Sequence, residues 1–169
     1  MTRLLALAAL VLATGAASCA SAATHGTGSC VGSRLAGTFR VVPGSAGAGN
    51  IVYALVLKNV SKSACRIAGL PRGRLLGKTG KPLPTHVVAA AKGGRAAPVT
   101  LAPGKAARAT ARFSPDVPGP GEPVAGRQCE PTSYWFRVAA PGGGTVKVKL
   151  QPATPVCEHG QLQFSVYGK

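Results

Sequence analysis

The sequence predicts an all-β fold, an antiparallel β-sandwich of seven to nine short strands. Three observations carry this. Apolar and polar residues alternate with period two in segment after segment. Gly- and Pro-rich turns separate those segments at regular intervals. Beyond the N-terminal region, no 12-residue window carries the 3.6-residue apolar stripe of a helix, and Gly93-Gly94 interrupts the alanine run from Ala89 to Ala97. Short strands with frequent turns fit two packed sheets.

The strands follow in order. A weaker candidate, Arg34–Val42, comes first. Ile51–Lys58 is apolar on both faces, as a central strand would be. Arg74–Leu76, Thr85–Val88 and Val99–Leu101 are short. In Ala107–Phe113, Ala107, Ala109, Ala111 and Phe113 alternate with Arg108, Thr110 and Arg112. Tyr134–Val138, Thr145–Leu150 and Leu162–Val166 repeat the pattern, with Lys147 and Lys149 on the polar side of the second. Pro43-Gly44, Pro71-Arg72-Gly73, Pro103-Gly104 and Pro141-Gly142-Gly143-Gly144 are turns, and Pro115–Gly126 reads as a long mobile loop.

The first 22 residues stand outside the fold. Met1-Thr2-Arg3 is a short positive segment, and Leu4–Ala13 is a ten-residue apolar run, too short to span a bilayer. Small residues follow. Two processing routes are open. Ala20-Ser21-Ala22 fits cleavage of a signal peptide spanning 1–22. Ala16-Ala17-Ser18-Cys19 resembles a bacterial lipobox, whose signal would end at residue 18 and whose Cys19 would be lipidated. Residues 23–29 then form a short flexible tail and 30–169 a single domain. The expected location is outside the cytoplasm: secreted, or lipid-anchored at the outer face of the bacterial cell membrane.

Of five cysteines, either route removes Cys19 from the thiol pool, leaving Cys30, Cys65, Cys129 and Cys157. An oxidising compartment pairs four thiols in one of three ways. Cys30 opens the first strand region, and Cys65 follows the next strong strand. Antiparallel pairing brings the start of one near the end of the other. Cys129 and Cys157 bracket the second strong hairpin in the same manner. The expected bridges are Cys30–Cys65 and Cys129–Cys157.

The run Ala48-Gly49-Asn50, the strand after it, Asn59-x5-Cys65-x3-Gly69-x-Pro71, and then Leu101-Ala102-Pro103-Gly104 resemble domain of unknown function 4232, found in exported actinobacterial proteins and lipoproteins. The likeness covers roughly Cys30 to Val166. It implies an immunoglobulin-like sandwich in the cell envelope and brings no catalytic residues with it.

Composition narrows the chemistry. Twenty Lys and Arg stand against four Asp and Glu, a net charge of +16. His25, His86 and His159 lie in different segments, and Asp116 is the sole aspartate. No nucleophile elbow, zinc-protease helix motif or phosphate loop occurs, so neither catalytic residues nor a cofactor are expected. Cleavage after Ala22 would leave Ala23-Thr24-His25 at the terminus, a nitrogen set suited to copper(II) or nickel(II). It is the one candidate metal residue. The charge is the main functional signal. Arg108, Arg112, Arg137, Lys147 and Lys149 fall on polar strand faces and form the candidate anion-binding set, while Arg72, Arg74, Lys78, Lys81, Lys92 and Arg95 cluster mid-chain. The expected partner is an anionic envelope polymer, a lipid surface or an acidic protein; the other reading of the charge is that it keeps an exported protein soluble. Nucleic acid is disfavoured, because few aromatics interleave with the cations. The reading is a non-catalytic interaction module. The alternative is a secreted enzyme with an unrecognised site.

Overall fold

The computed structural model describes residues 27–90, 97–124 and 128–168. The leader with Cys19, the candidate metal residue His25, and Lys92, Arg95 and Lys169 lie outside the described residues. Ten strands are present among those described: β1 (Leu35–Val41), β2 (Ile51–Asn59), β3 (Cys65–Ile67), β4 (Arg72–Leu76), β5 (His86–Ala89), β6 (Val99–Leu101), β7 (Ala106–Phe113), β8 (Ser133–Ala139), β9 (Thr145–Thr154) and β10 (Gln161–Phe164). Eight form one continuous sheet in the order β4-β8-β9-β1-β2-β7-β10-β5, and β3 pairs separately with β6.

The central ladder shows how an alanine-rich chain fills a core. β2 lies between β1 and β7, as its doubly apolar sequence requires. Its inward residues Tyr53, Leu55 and Leu57 stand directly opposite Ala111, Ala109 and Ala107 of β7. Each large side chain therefore overhangs a small one, and all six are buried. On the other flank Leu57 faces Gly37, where a Cβ would come within 2.5 Å of Val148 Cγ1 and 2.8 Å of Leu57 Cδ2. The space is already filled by larger neighbours.

Aromatic contacts show that the sheet folds over on itself. β8 and β10 are five strand steps apart, roughly 24 Å across a flat sheet at about 4.8 Å per step. Yet the Phe136 and Phe164 rings are 5.7 Å apart, and Phe39 of β1 meets both, at 5.6 and 5.9 Å. The layer β4-β8-β9 thus packs on the layer β1-β2-β7-β10-β5, with this trio in the shared core. The fold is the expected immunoglobulin-like sandwich.

Both disulfides are those expected, Cys30–Cys65 and Cys129–Cys157. The register supplies the reason. Leu35 pairs with Asn59 and Ser133 with Thr154, which leaves each cysteine pair just beyond a matched strand end.

Four details differ from expectation. Pairing is not wholly antiparallel: β1 runs parallel to β9 through Phe39↔Leu150 and Arg40↔Gln151, and β5 runs parallel to β10. Period-two alternation reports faces, not direction. The strand count is ten rather than seven to nine, because Cys65–Ile67 is itself a strand and too short to alternate visibly. Part of the expected tail is tied down, since Arg66 N–H donates to Gly28 O at 2.8 Å. Lastly, the loop beginning at Pro115 is not free. Glu122 within it is buried and holds it to the turn at Cys157–Gly160.

Candidate functional site

The expected anion-binding residues are all exposed, but they divide between two faces. Arg137, Lys147 and Lys149 project from the outer face of β4-β8-β9. Arg108 and Arg112 project from β7, on the outer face of the other layer. In an antiparallel ladder, directly opposed residues share a face. Arg74 of β4 stands opposite Arg137 of β8, which stands opposite Lys147 of β9. One row therefore carries three cations across three adjacent strands. Trp135 and Lys149 form the next row, and Arg72 opposite Ala139 the row on the other side. The Lys147 ammonium sits 4.3 Å from the centre of the half-buried Trp135 ring. This is a cation–π contact that holds the chain across the face.

On β7 the neighbours are different. Arg108 stands opposite Val56, Arg112 opposite Val52, and Thr110 opposite Ala54. The cations there are interleaved with small and apolar residues, and none directly opposes another. The structure thus separates Arg108 and Arg112 from the other three and adds Arg72, Arg74 and Trp135 to them. Arg72 and Arg74, grouped mid-chain with Lys78 and Lys81 in the sequence, both belong to β4 and so to this sheet.

Like charges set directly opposite one another on a sheet are destabilising, by up to about 1 kcal/mol per pair. Acidic neighbours would offset this. Among the described residues, the ion pairs within 4.0 Å are those of His159 with Glu122 and Glu130, and none involves Lys or Arg.

The acids are gathered elsewhere, around Cys129–Cys157. Glu158, His159 and Gly160 have positive φ, at 57°, 57° and 77°. The backbone N–H groups of Glu158 and His159 both donate to the buried Glu122 carboxylate, as does that of Gly119. Successive N–H groups in such a turn make a concave anion seat, filled here from within the chain. Gly160 is required, since a Cβ would lie 2.0 Å from the Pro84 carbonyl oxygen. His159 Nε2 is 3.0 Å from the Pro120 carbonyl, an obligate acceptor, so Nε2 carries a proton and Nδ1 faces Glu122 and Glu130 at 3.7 and 3.9 Å. Burial alone would raise the Glu122 pKa, but the three N–H donors and His159 outweigh it and hold the carboxyl below its usual range. Glu130 goes the other way, raised by its own burial and by the Glu122 charge beside it.

Glu122, Glu130 and His159 offer ligand atoms within 4.8 Å of one another, the spacing of a metal site. Both oxygens of Glu122 already accept backbone N–H groups, so the arrangement acts as a latch that fastens the Pro-rich loop to the left-handed turn. Sequence reasoning missed it, though a signal existed. Glu130 follows Cys129 and Glu158 follows Cys157, so the disulfide alone brings two of the four acids together.

The motif residues of the first ladder have equally concrete roles. Buried Asn59 donates through Nδ2 to Ser63 O and Leu101 O, while its Oδ1 accepts from Ser61. Gly104, at φ 76°, turns the chain so that its N–H reaches Asn59 O at 2.9 Å. The Asn-to-Cys segment and the Pro-Gly turn are thus two halves of one joint, which closes on the Cys30–Cys65 bridge. This joint lies in the part of the chain that matches a known family, over residues 30–167. The chain belongs to the family described as domain of unknown function (DUF4232). No curated protein and no solved structure matches it. The matched range includes this joint and all four bridged cysteines, and the family description leaves the activity to be argued from the surface. Among the described residues, no helix is long and apolar enough to cross a membrane.

Proposed function

We propose that this protein is an exported, non-catalytic module of the cell envelope that binds an anionic polymer along the outer face of β4, β8 and β9. The observation that carries this is the row Arg74–Arg137–Lys147, like charges directly opposed on three strands and, among the described residues, without a carboxylate within 4.0 Å. Such a row costs stability in the free protein, and a bound polyanion would turn that cost into attraction. Strand spacing sets the backbone positions that bear these cations about 4.8 Å apart across the row, and roughly 6.8 Å apart from Lys147 to Lys149. A flexible chain bearing phosphate or carboxylate groups at similar intervals can meet several at once. Among the described residues, the most exposed large apolar side chains, Val60, Val117 and Val124, lie outside these strands, and the one aromatic on this face, Trp135, is half-buried under the Lys147 ammonium, which favours a polymer over a bilayer as the partner. Export rests on the leader sequence and on paired cysteines of the kind found in oxidising compartments.

The test compares two variants of equal net charge. Arg137→Glu with Lys147→Glu should weaken binding to long-chain polyphosphate by about tenfold or more at low salt, and flatten its salt dependence. Arg108→Glu with Arg112→Glu should change it far less. Wild-type binding should fall steeply as salt rises, because the screening length shrinks from about 30 Å at 0.01 M to about 8 Å at 0.15 M. Equal losses in the two variants would reduce the effect to overall charge. Binding to anionic vesicles but not to polyphosphate would replace the polymer by a lipid surface.

A further inference from the structure

The two ends of the sandwich differ in charge. β2 and β7 run from one end to the other, paired from Ile51↔Phe113 to Lys58↔Ala106, which is roughly 24 Å at about 3.4 Å per residue. All four acidic side chains lie at the Phe113 end. Asp116 follows Phe113 closely, and Cys157 N–H donates to Ser114 O, which brings the turn bearing Glu158 to this end, with Glu122 and Glu130 against His159. The other end gathers cations. Val60 N–H donates to Arg34 O and Asn59 N–H to Lys105 O, and Lys58 stands opposite both Ala36 and Ala106. Lys62 sits in the loop that Asn59 fastens through Ser61 and Ser63. Arg66 of β3 is joined to the N-terminal segment through its N–H to Gly28 O. Arg34, Lys58, Lys62, Arg66 and Lys105 are all exposed, and among the described residues none has a carboxylate within 4.0 Å. Val60 stands among them with 56% of its surface exposed. The chain also enters the domain here, since Thr27 and Gly28 share a hollow with Arg34, Ser63 and Cys65.

We propose that this end docks on an anionic lipid bilayer, with Arg34, Lys58, Lys62, Arg66 and Lys105 over the headgroup phosphates and Val60 entering the interface. Three observations choose this occupant. Cations around an exposed apolar side chain match charged headgroups above acyl chains. The acids sit at the far end, so the charge asymmetry turns the cationic end toward a negative surface before contact. The N-terminal segment leaves the domain on this side. Cys19 precedes Thr27 by eight residues, a length of chain that spans at most about 29 Å, so a lipid on Cys19 would deliver this end to the bilayer and not the acidic one. Strands of a sandwich lie within about 30° of one another, so they stand on end in this pose and the outer face of β4-β8-β9 stays open to solvent. The docking goes beyond polymer binding and does not depend on it.

The experiment uses the mature protein, exported as the Cys19→Ala variant so that no acyl chain contributes, and co-sediments it with vesicles. Vesicles of mixed phosphatidylglycerol and phosphatidylcholine should bind it at low salt, and pure phosphatidylcholine vesicles should not. Each cation near an anionic surface raises affinity about fivefold, so Lys62→Glu with Lys105→Glu should weaken vesicle binding by about tenfold or more. The same variant should keep its affinity for polyphosphate. Arg137→Glu with Lys147→Glu, of equal net charge, should do the reverse. Val60→Trp alters no charge and should bind the anionic vesicles about threefold more tightly or better, whereas Val117→Trp, at the acidic end, should not. Equal losses of vesicle binding in the two charge variants, or equal gains in the two tryptophan variants, overturn the docking, as does the absence of binding to anionic vesicles at low salt. Vesicle binding that follows this pattern without any binding to polyphosphate upholds the docking and overturns the polymer reading alone.

Discussion

Replacing Cys30 and Cys65 together by alanine lowers the unfolding free energy by roughly 3.5–4 kcal/mol, and replacing Cys129 and Cys157 lowers it by nearly as much. The bridges span 35 and 28 residues, and loop entropy grows only with the logarithm of length, so the two costs are close. Urea titration reads this as a lower midpoint, and thermal melting as a fall of roughly 10 °C for each bridge. Their local consequences differ. Without Cys30–Cys65, the first segment is still held by Cys30 N–H to Arg66 O and Arg66 N–H to Gly28 O, and β1 keeps its seven-residue register with β2. Without Cys129–Cys157, the turn at Cys157–Gly160 depends on Cys157 N–H to Ser114 O and on the Glu122 latch. Hydrogen exchange near Glu158 should therefore accelerate more in the second variant than exchange near Arg66 does in the first. A loss below about 1 kcal/mol for either pair would mean that its loop is already closed in the unfolded chain.

The layering and both bridges were legible because they depend on short-range patterns. Alternation gave the faces of β2, β7, β8 and β9, and hairpin antiparallelism then placed each cysteine beside its partner. Three things were not legible, each for a physical reason. Parallel pairing of β1 with β9 and of β5 with β10 joins strands distant in sequence, and nothing local marks its direction. The division of the basic residues depends on which layer holds each strand. Arg112 and Arg137 look alike in sequence, yet one lies opposite Val52 and the other between Arg74 and Lys147. The latch needs a carboxylate from one loop and two N–H groups from a turn more than 35 residues away, with non-glycine residues at positive φ. Local propensity argues against that conformation, and only the tertiary partner makes it favourable.

That partner carries the last expected result. Glu122→Ala should destabilise the protein by about 3 kcal/mol, because three backbone N–H groups lose a buried, charged acceptor at once. Glu122→Gln should cost nearly as much, at roughly 2 kcal/mol. Oε2 accepts from Gly119 and Glu158 and Oε1 from His159, so whichever way the amide turns, its NH2 faces a donor. The pH dependence identifies the cause. The folded carboxyl titrates below its ordinary value, so its contribution is present above the unfolded pKa, about 4.3, and is lost as pH falls through the folded value. The gap in melting temperature between wild type and Glu122→Gln should therefore be wide at neutral pH and narrow on acidification. Glu130 has the opposite sign. Its raised value means that stability is lost as pH rises past the ordinary carboxylate range, since burial and the Glu122 charge oppose its ionisation. Glu130→Gln should accordingly stabilise the protein at neutral pH and make no difference in acid. Parallel destabilisation by both substitutions at neutral pH would show that Glu130 supports the turn as Glu122 does, and that the two carboxylates do not repel.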